Sequence, residues 1–288
     1  MTESNQLYIR NKEQSVLCSG VYLVPVPIGN LRDITLRALD VLMACDVIVC
    51  EDSRVTGKLL KAYNITDKKK IVYNDHANDR EKENILNLVA QGHVIALVSD
   101  AGTPMISDPG YKLVVDAIGQ GAYVTALPGA NAVLPAIQLS GLPSDKFTFI
   151  GFLPQKDKAL RDVLANYKNR METLICYESP KRVAKTCAVL NELYDGRKIK
   201  IIREISKLYE EGLTYNPDLD LSSIKGEIVL VIEGAKEHTS YTEDDLEKMI
   251  VNAMEEGMSV KDLSQFIADQ TGLKKKDIYN YALSLKNK

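Results

Sequence analysis

The hydrophobic period of the chain switches repeatedly between residues 21 and about 153. Short β-branched runs such as Val47-Ile48-Val49 and Val94-Ile95-Ala96-Leu97 alternate with stretches whose apolar residues fall three or four apart. The spacing predicts strands over 21–26, 47–50, 70–73, 93–99 and 122–127, and helices over 35–44, 56–63, 80–91 and 111–120. Leu36, Leu39 and Leu42/Met43 share one face of the first helix, and Gly92 closes the third. Few folds accept such an alternation. It predicts βαβ units on a mainly parallel sheet, with sites at the carboxyl ends of the strands.

Charge rises and Pro and Gln appear at FLPQKDKALRD (152–162), which marks a first domain boundary. A second α/β unit follows: a helix to about 168, a strand over 173–177, a helix opening at ESPKR, and strands over 198–202 and 228–233. A meander is expected over 206–215. Ser179 is read as the cap of the ESPKR helix, Pro180 as its first residue, and Gly196 as its end. After Gly234 come three short amphipathic helices with a helix-turn-helix look. Thr242-x-x-Asp245 and Ser259-x-x-Asp262 match the capping pattern, and Ile278, Tyr281, Ala282 and Leu285 form the core face of the last helix. The expected division is an N-terminal tail (1–19), an α/β domain (20–153), a second α/β domain (154–235) and a helical module (236–288).

Composition narrows the function. With 288 residues, 45% hydrophobic and 26% charged, the chain has the make-up of an ordinary soluble globular protein. A net charge of −3 gives no global pull toward nucleic acid or anionic lipid, so RNA binding must rest on local basic patches. No apolar run approaches the ~18 residues of a membrane span, and the polar start MTESNQLYIR carries no leader core. The five cysteines lack C-x-x-C spacing; Cys45 and Cys50 read as small core residues, and the set suggests a reducing cytoplasm. His76, His93 and His238 are the only histidines, and no metal is expected.

Three turns stand where strands end. PVPIGNL (25–31) follows the first strand, VSDAGTPMISDPG (98–110) the fourth, and LPGANAV (127–133) the fifth. Asp108 and Pro109 read as a helix cap and first helical residue. Asp100-Ala-Gly-Thr-Pro is either a tight turn or a ligand-facing strand end. A carboxylate there, with no Walker lysine, suits a cationic or hydroxyl-bearing ligand better than a phosphate. Together the three turns suggest one cleft for a ligand with several polar ends. EDSR (51–54) is either a capped helix start or part of that site. The candidates for a base are Glu51, Asp52, His76 and Glu204, with His76 also readable as a surface loop residue.

Read in order, VPVPIGNLRDITLRAL, CEDSRVTGKLL, ALVSDAGTPMISDPGYKLV, LPGANAV, GLPSDKFTFIGFLP, YESPKR and KGEIVLVIEG closely resemble the bacterial 16S rRNA (cytidine-2′-O)-methyltransferases. These are a branch of the tetrapyrrole-methylase-like S-adenosylmethionine enzymes. The resemblance covers about residues 20–234, and the last helices look like that family's small terminal domain. It departs at Ser53, where the family usually has Thr, and at GANA (129–132), where some relatives carry Pro or Cys.

The resemblance implies two α/β domains with a cofactor cleft between them (tetrapyrrole-methylase-like), plus a small C-terminal helical module, in a cytoplasmic homodimer. The cofactor is then S-adenosyl-L-methionine, and the target is the 2′-hydroxyl of cytidine 1402 of 16S rRNA in the small ribosomal subunit. Pro27, Gly29, Asn30, Asp100, Gly102, Thr103, Gly129, Ala130, Asn131 and Ala132 are expected around the cofactor, with Glu178, Ser179 and the 225–234 segment contributing. Glu51, Asp52 and His76 are the catalytic candidates. Arg54, Lys156, Lys158, Arg161, Lys181, Arg182, Lys274, Lys275 and Lys276 are the candidate RNA contacts, each also readable as a solvated surface charge. Two other readings stay open: methylation of a small tetrapyrrole, and a non-catalytic RNA-binding protein that keeps the fold.

Overall fold

The computed structural model describes residues 17–74, 77–236, 243–271 and 273–286. Two compact units make up the chain, one ending at Gly234 and the other beginning at Ala235.

The first sheet holds β1 (Gly20–Leu23), β2 (Val47–Cys50), β3 (Lys69–Val72), β4 (Val94–Val98) and β5 (Tyr123–Ala126). Their order is β3-β2-β4-β1-β5 and every pairing is parallel. Helices α1 (Leu36–Ala44), α2 (Ser53–Ala62), α3 (Asp79–Ala90) and α4 (Tyr111–Gly119) cover it on both faces. Alternation along β4 shows why both faces must be covered. Val94, Ala96 and Val98 pack with Val41, Leu42 and Leu60 of α1 and α2, whereas Ile95 and Leu97 pack with Ile85, Leu113 and Ala117 of α3 and α4. Caps follow the sequence: Thr35 accepts the Ala38 N–H, and Asn78 with Glu81 forms a complete capping box. Cys45 and Cys50 are buried core residues, as expected.

The second sheet is mixed. It holds β6 (Phe147–Phe152), β7 (Thr173–Glu178), β8 (Ile199–Arg203), β9 (Glu211–Thr214) and β10 (Ile228–Ile232), in the order β6-β7-β10-β8-β9. Only the β6–β7 pair is parallel. On one face Leu160, Leu164 and Leu190 of α6 (Asp157–Tyr167) and α7 (Val183–Leu193) meet Ile228, Leu230 and Ile232. On the other, Val133, Ala136 and Ile137 of α5 (Val133–Ser140) meet Val229 and Val231. Residues 147–152, counted with the first α/β domain on sequence grounds, are thus an edge strand of the second sheet. The sheets exchange between Ala126 and Phe147, and α5 already belongs with the second.

Two helix starts also differ from expectation. α4 begins at Tyr111 behind Gly110, which sits at φ +122° and has no side chain to cap with, so Asp108 and Pro109 lie outside the helix. α7 begins at Val183, and residues 179–182 form a turn in which the Ser179 carbonyl, not its hydroxyl, accepts the Arg182 and Val183 N–H groups. In the second unit, α8 (Glu243–Glu255), α9 (Val260–Thr271) and α10 (Lys275–Lys286) enclose Ile250, Leu263, Ile267, Ile278 and Ala282. Ser259 accepts the Asp262 N–H and donates to its carboxylate; Thr242, the other expected cap, lies outside the described residues.

Leu230 is fully buried at the centre of the second sheet. Leu230→Ala is expected to cost about 2–5 kcal/mol of stability through lost transfer energy and a residual cavity. A lower urea midpoint at unchanged m-value would record it.

Candidate functional site

Four strand-end loops of the first sheet are tied to one another by short polar contacts. Val26 and Gly102 exchange two backbone hydrogen bonds of 2.9 Å, joining the loop after β1 to the loop after β4. The Thr103 hydroxyl donates to the Ala130 carbonyl at 3.0 Å, which adds the loop after β5. The Asp52 N–H donates to Asp100 Oδ1 at 3.1 Å, which adds the loop after β2. Gly129 sits against Pro25, where a Cβ would come within 2.6 Å of the proline ring. These contacts bring the three strand-end turns and the EDSR loop to one place.

Above them lies a cavity of about 430 Å³, within the usual range for small-molecule sites. Asp100, Gly102, Thr103, Asn131 and Ala132 form one wall; Tyr177, Glu227 and Val229 of the second sheet face them. Ile28, Ile106 and Phe152 make it largely apolar. The Phe152 and Tyr177 rings meet edge-on at 5.1 Å, and burial pushes the Tyr177 hydroxyl up to about 12. Burial also raises the Asp100 carboxyl above its ordinary value. No Lys, Arg or His is among the described residues lining the cavity.

Of the residues expected around a cofactor, Asp100, Gly102, Thr103, Asn131, Ala132, Glu178 and Ser179 line this cavity, while Pro27, Gly29, Asn30, Gly129 and Ala130 do not. Several of these support the wall from behind. Gly29, at φ +143°, accommodates the Lys207 stem, and a Cβ there would lie 2.4 Å from Lys207 Cε. Asn30 accepts the Arg32 N–H and caps the turn at Leu31–Asp33. The Glu178 carboxylate has no exposed surface and accepts from the Ser179 N–H, the Thr186 hydroxyl and Arg182 at 2.5–2.7 Å. It braces the wall, so any ligand contact from Glu178 must come through its backbone.

Sequence reasoning missed Ile106, Ser107, Asp108, Phe152 and Tyr177 as lining residues, whereas residues 226–229 fall in the 225–234 segment that was expected to contribute. The loop carrying the first three passes through the left-handed region at Met105 (φ +71°) and Ser107 (φ +65°), which turns Asp108 to the cavity instead of to α4. The mixed SDPG signal fits a cap as well as a wall, so sequence alone did not separate them.

The candidate bases separate by environment. Asp52 caps α2 and is gripped by the Arg54 guanidinium at 2.6 Å. Glu204 accepts the Glu227 N–H and Lys207, which lower its carboxyl below the ordinary value. Glu51 is half-buried beside Asp52. His76 lies outside the described residues. The candidate RNA contacts separate too. Lys156, Lys158, Lys181, Lys274, Lys275 and Lys276 are exposed, with Lys275 donating to Gln265. Arg161 is held bidentately by Glu192 and also by Asp157, and Arg182 is committed to Glu178, Ser179 and the Leu153 carbonyl. Both arginines thus tie together elements of the second sheet's side of the molecule.

The hydrogen bonds from Arg54 hold the Asp52 carboxyl down at about 2, against an ordinary 3.8. Because the folded value is the lower one, this cap stabilises the fold above the ordinary value and is lost as pH falls through about 2. The Asp52 carboxyl is expected to titrate near 2 by NMR and to move toward 3.8 in Arg54→Ala. A midpoint near 4 in the unaltered chain contradicts the pairing.

Comparison with known proteins places these features in a family. The profile of the Tetrapyrrole (Corrin/Porphyrin) Methylases matches residues 20–216, and that of the RsmI C-terminal HTH domain matches residues 242–286. The chain is 39% identical over 270 residues to "Ribosomal RNA small subunit methyltransferase I" of Rickettsia prowazekii, covering 92% of this chain and 94% of the relative. It is 44% identical over 275 residues to the protein of the same name in Erythrobacter litoralis, covering 94% and 96%. A uroporphyrin-III C-methyl transferase from Thermus thermophilus, solved in complex with S-adenyl homocysteine, shares the fold with a TM-score of 0.51 at 17% identity, covering 74% of this chain and 97% of that one. The chain therefore belongs to the Tetrapyrrole (Corrin/Porphyrin) Methylases and, within them, to the ribosomal RNA small subunit methyltransferase I family.

Proposed function

We propose that this chain transfers a methyl group from S-adenosyl-L-methionine to the ribose 2′-hydroxyl of cytidine 1402 in 16S rRNA, the site that follows from the family name. The observation that carries the reading is the cavity itself. It is apolar enough for a nucleoside, edged by the Asp100 carboxylate and the Thr103 loop, and lined among the described residues by no cation that would select a phosphate. These residues fit a positively charged sulfonium nucleoside.

When bound, S-adenosylmethionine supplies an electrophilic methyl group on sulfur. The protein's task is alignment in a partly dry site, which by itself lowers the barrier substantially. Asp100 serves best by holding hydroxyls, because strong attraction to the sulfonium stabilises the ground state more than the transition state. Tyr177 and Phe152 shield the opposite wall. Asp52 is a weak base at neutral pH, since Arg54 keeps it ionised far below that range. Glu51, beside it, is the carboxylate we assign to the RNA-facing edge, with His76 as the further candidate.

Lys156, Lys158, Lys181 and Lys274–Lys276 are the proposed phosphate contacts. Lys261, Lys275, Lys276 and Tyr279 line a recess on the helical module, a combination suited to an RNA backbone and an unstacked base. The reading requires the cytoplasm, where free thiols persist; among the described residues no helix is long and apolar enough to cross a membrane.

A second copy of the chain is the partner we assign to α4. Tyr111, Val115 and Ile118 form an apolar stripe at 68%, 45% and 59% exposure, beside Tyr123 on the edge strand β5. Light scattering is expected to report a dimer, and Val115→Glu a monomer. A monomeric unaltered chain at micromolar concentration refutes this assignment.

Label from S-adenosylmethionine is expected on a ribose of undermethylated small subunits. Transfer to a tetrapyrrole instead, or cofactor binding with no transfer to RNA, refutes the function. Asp100→Ala is expected to weaken cofactor binding by about 30-fold, the equivalent of roughly 2 kcal/mol for a charge-assisted contact. Full affinity in that variant overturns the role given to Asp100.

A further inference from the structure

The corner formed by α2 and β3 carries a concentrated excess of positive charge. Residues 53–72 hold Arg54, Lys58, Lys61, Lys68, Lys69 and Lys70 against one carboxylate, Asp67, in a protein whose net charge is −3. Arg54 is already matched by Asp52, and Lys68 closes the end of α1 by donating to the Met43 and Cys45 carbonyls at 2.6 and 2.8 Å. The other four lysines behave differently. Lys58, Lys61, Lys69 and Lys70 are exposed, and none lies within ion-pair distance of a carboxylate among the described residues. Elsewhere the helices pair many of their cations, as Lys82 does with Asp116 and Lys185 with Asp157.

Geometry arranges this charge into a track. Arg54, Lys58 and Lys61 fall at i, i+4 and i+7 on α2, opposite the buried Thr56 and Leu60, so they share one solvent-facing stripe about 10 Å long. The stripe starts at Arg54 of the EDSR segment, two residues from the Asp52 N–H that bonds Asp100 at the cavity. At its far end lies a separate recess of about 360 Å³. Lys61, Lys68 and Lys70 border it, with the polar side chains of Asn64 and Thr66 beside them. Asp67 also borders the recess, and its carboxylate accepts the Thr66 hydroxyl at 3.0 Å.

We propose that this corner is a second RNA-binding surface: the strand leaving the methylation site runs down α2, with its phosphodiesters held by Lys58, Lys61 and Lys70. The inference rests on the rRNA reading above and adds to it a surface outside the cavity, the second sheet and the helical module. The unpaired Lys58 and Lys61 on one helix stripe, with Lys70 at its far end, match a backbone that offers repeated negative charge and no sequence information.

The test is the triple variant Lys58→Gln, Lys61→Gln, Lys70→Gln in the full chain, with Lys112→Gln, Lys146→Gln, Lys198→Gln as a charge-matched control on other exposed positions. Fluorescence titration with a 16S rRNA fragment and with small subunits reads affinity at several salt concentrations. The α2–β3 variant is expected to bind RNA at least 10-fold more weakly, and its log Kd to depend on log salt with a slope shallower by about 2, given roughly 0.7 per neutralised single-strand phosphate. Its KM for the subunit should rise while kcat at saturation stays within about two-fold and S-adenosylmethionine affinity is unchanged. Equal losses in the control, or unchanged RNA affinity in the variant, overturn the surface. Weakened binding to the subunit but not to naked RNA assigns it to a ribosomal protein and also overturns it. If the unaltered chain transfers methyl to RNA, such failures leave the enzymatic reading intact; if it does not, both fall.

Discussion

The pair of backbone hydrogen bonds between Val26 and Gly102 is the contact on which the site depends. Beyond Leu23 and Val98 the two central strands diverge, and their loops would otherwise carry unpaired backbone groups beside a cavity. The bridge extends the sheet's pairing one step past its edge, so both loops hold a single conformation. Gly102, at φ +74°, is needed there, with Ile28 packed 3.3 Å from where its Cβ would sit. The Thr103–Ala130 and Asp52–Asp100 contacts then tie two more loops to this pair. Strand order supplies the reason they meet here. The chain returns through β4 between β2 and β1 before placing β5 on the far side of β1. That reversal opens a crevice at the strand ends.

Electrostatics divides the carboxylates of the molecule into two kinds. Asp52, Glu204 and Glu178 sit under several donors and serve as fixed anions that cap, brace or latch. Asp100 is different: it accepts one backbone N–H and is otherwise governed by burial, which raises its carboxyl. An ionised group kept short of partners is costly unless a ligand completes its coordination. The latch formed by residues 204–207 completes the arrangement, because Lys207 spans Glu204 and Glu227 while lying over Gly29, and the Ser206 hydroxyl donates to Asp33. First-sheet loops and second-sheet wall are thereby held at one separation.

Much of this was legible before any coordinates. The period changes located all five strands of the first sheet and its four helices to within a few residues, because alternation and helical spacing are local properties. Ser259 signals its helix start through a short-range hydrogen bond that needs no tertiary partner. The misreadings share one cause. SDPG and ESPKR each carry a good capping signal, yet Gly110 and the 179–182 turn delay both helices. Asp108 faces the cavity, and the Glu178 carboxylate draws Arg182 inward. The grip of Glu192 on Arg161, across 31 residues of sequence, is likewise invisible to any local pattern.

The sequence by itself determined the layered α/β architecture, the three strand-end loops that meet beside the cavity, and the family to which they point, since each is written in residues close together in the chain. Tertiary structure alone decided that β6 joins the second sheet, that α5 packs there too, and that Phe152, Tyr177 and Glu227 close the cavity opposite Asp100. It also decided which charges are structural ties and which remain open to a ligand. Those outcomes depend on strand pairing and burial between segments far apart in sequence, and no local pattern encodes which partner a strand edge or a buried carboxylate will find.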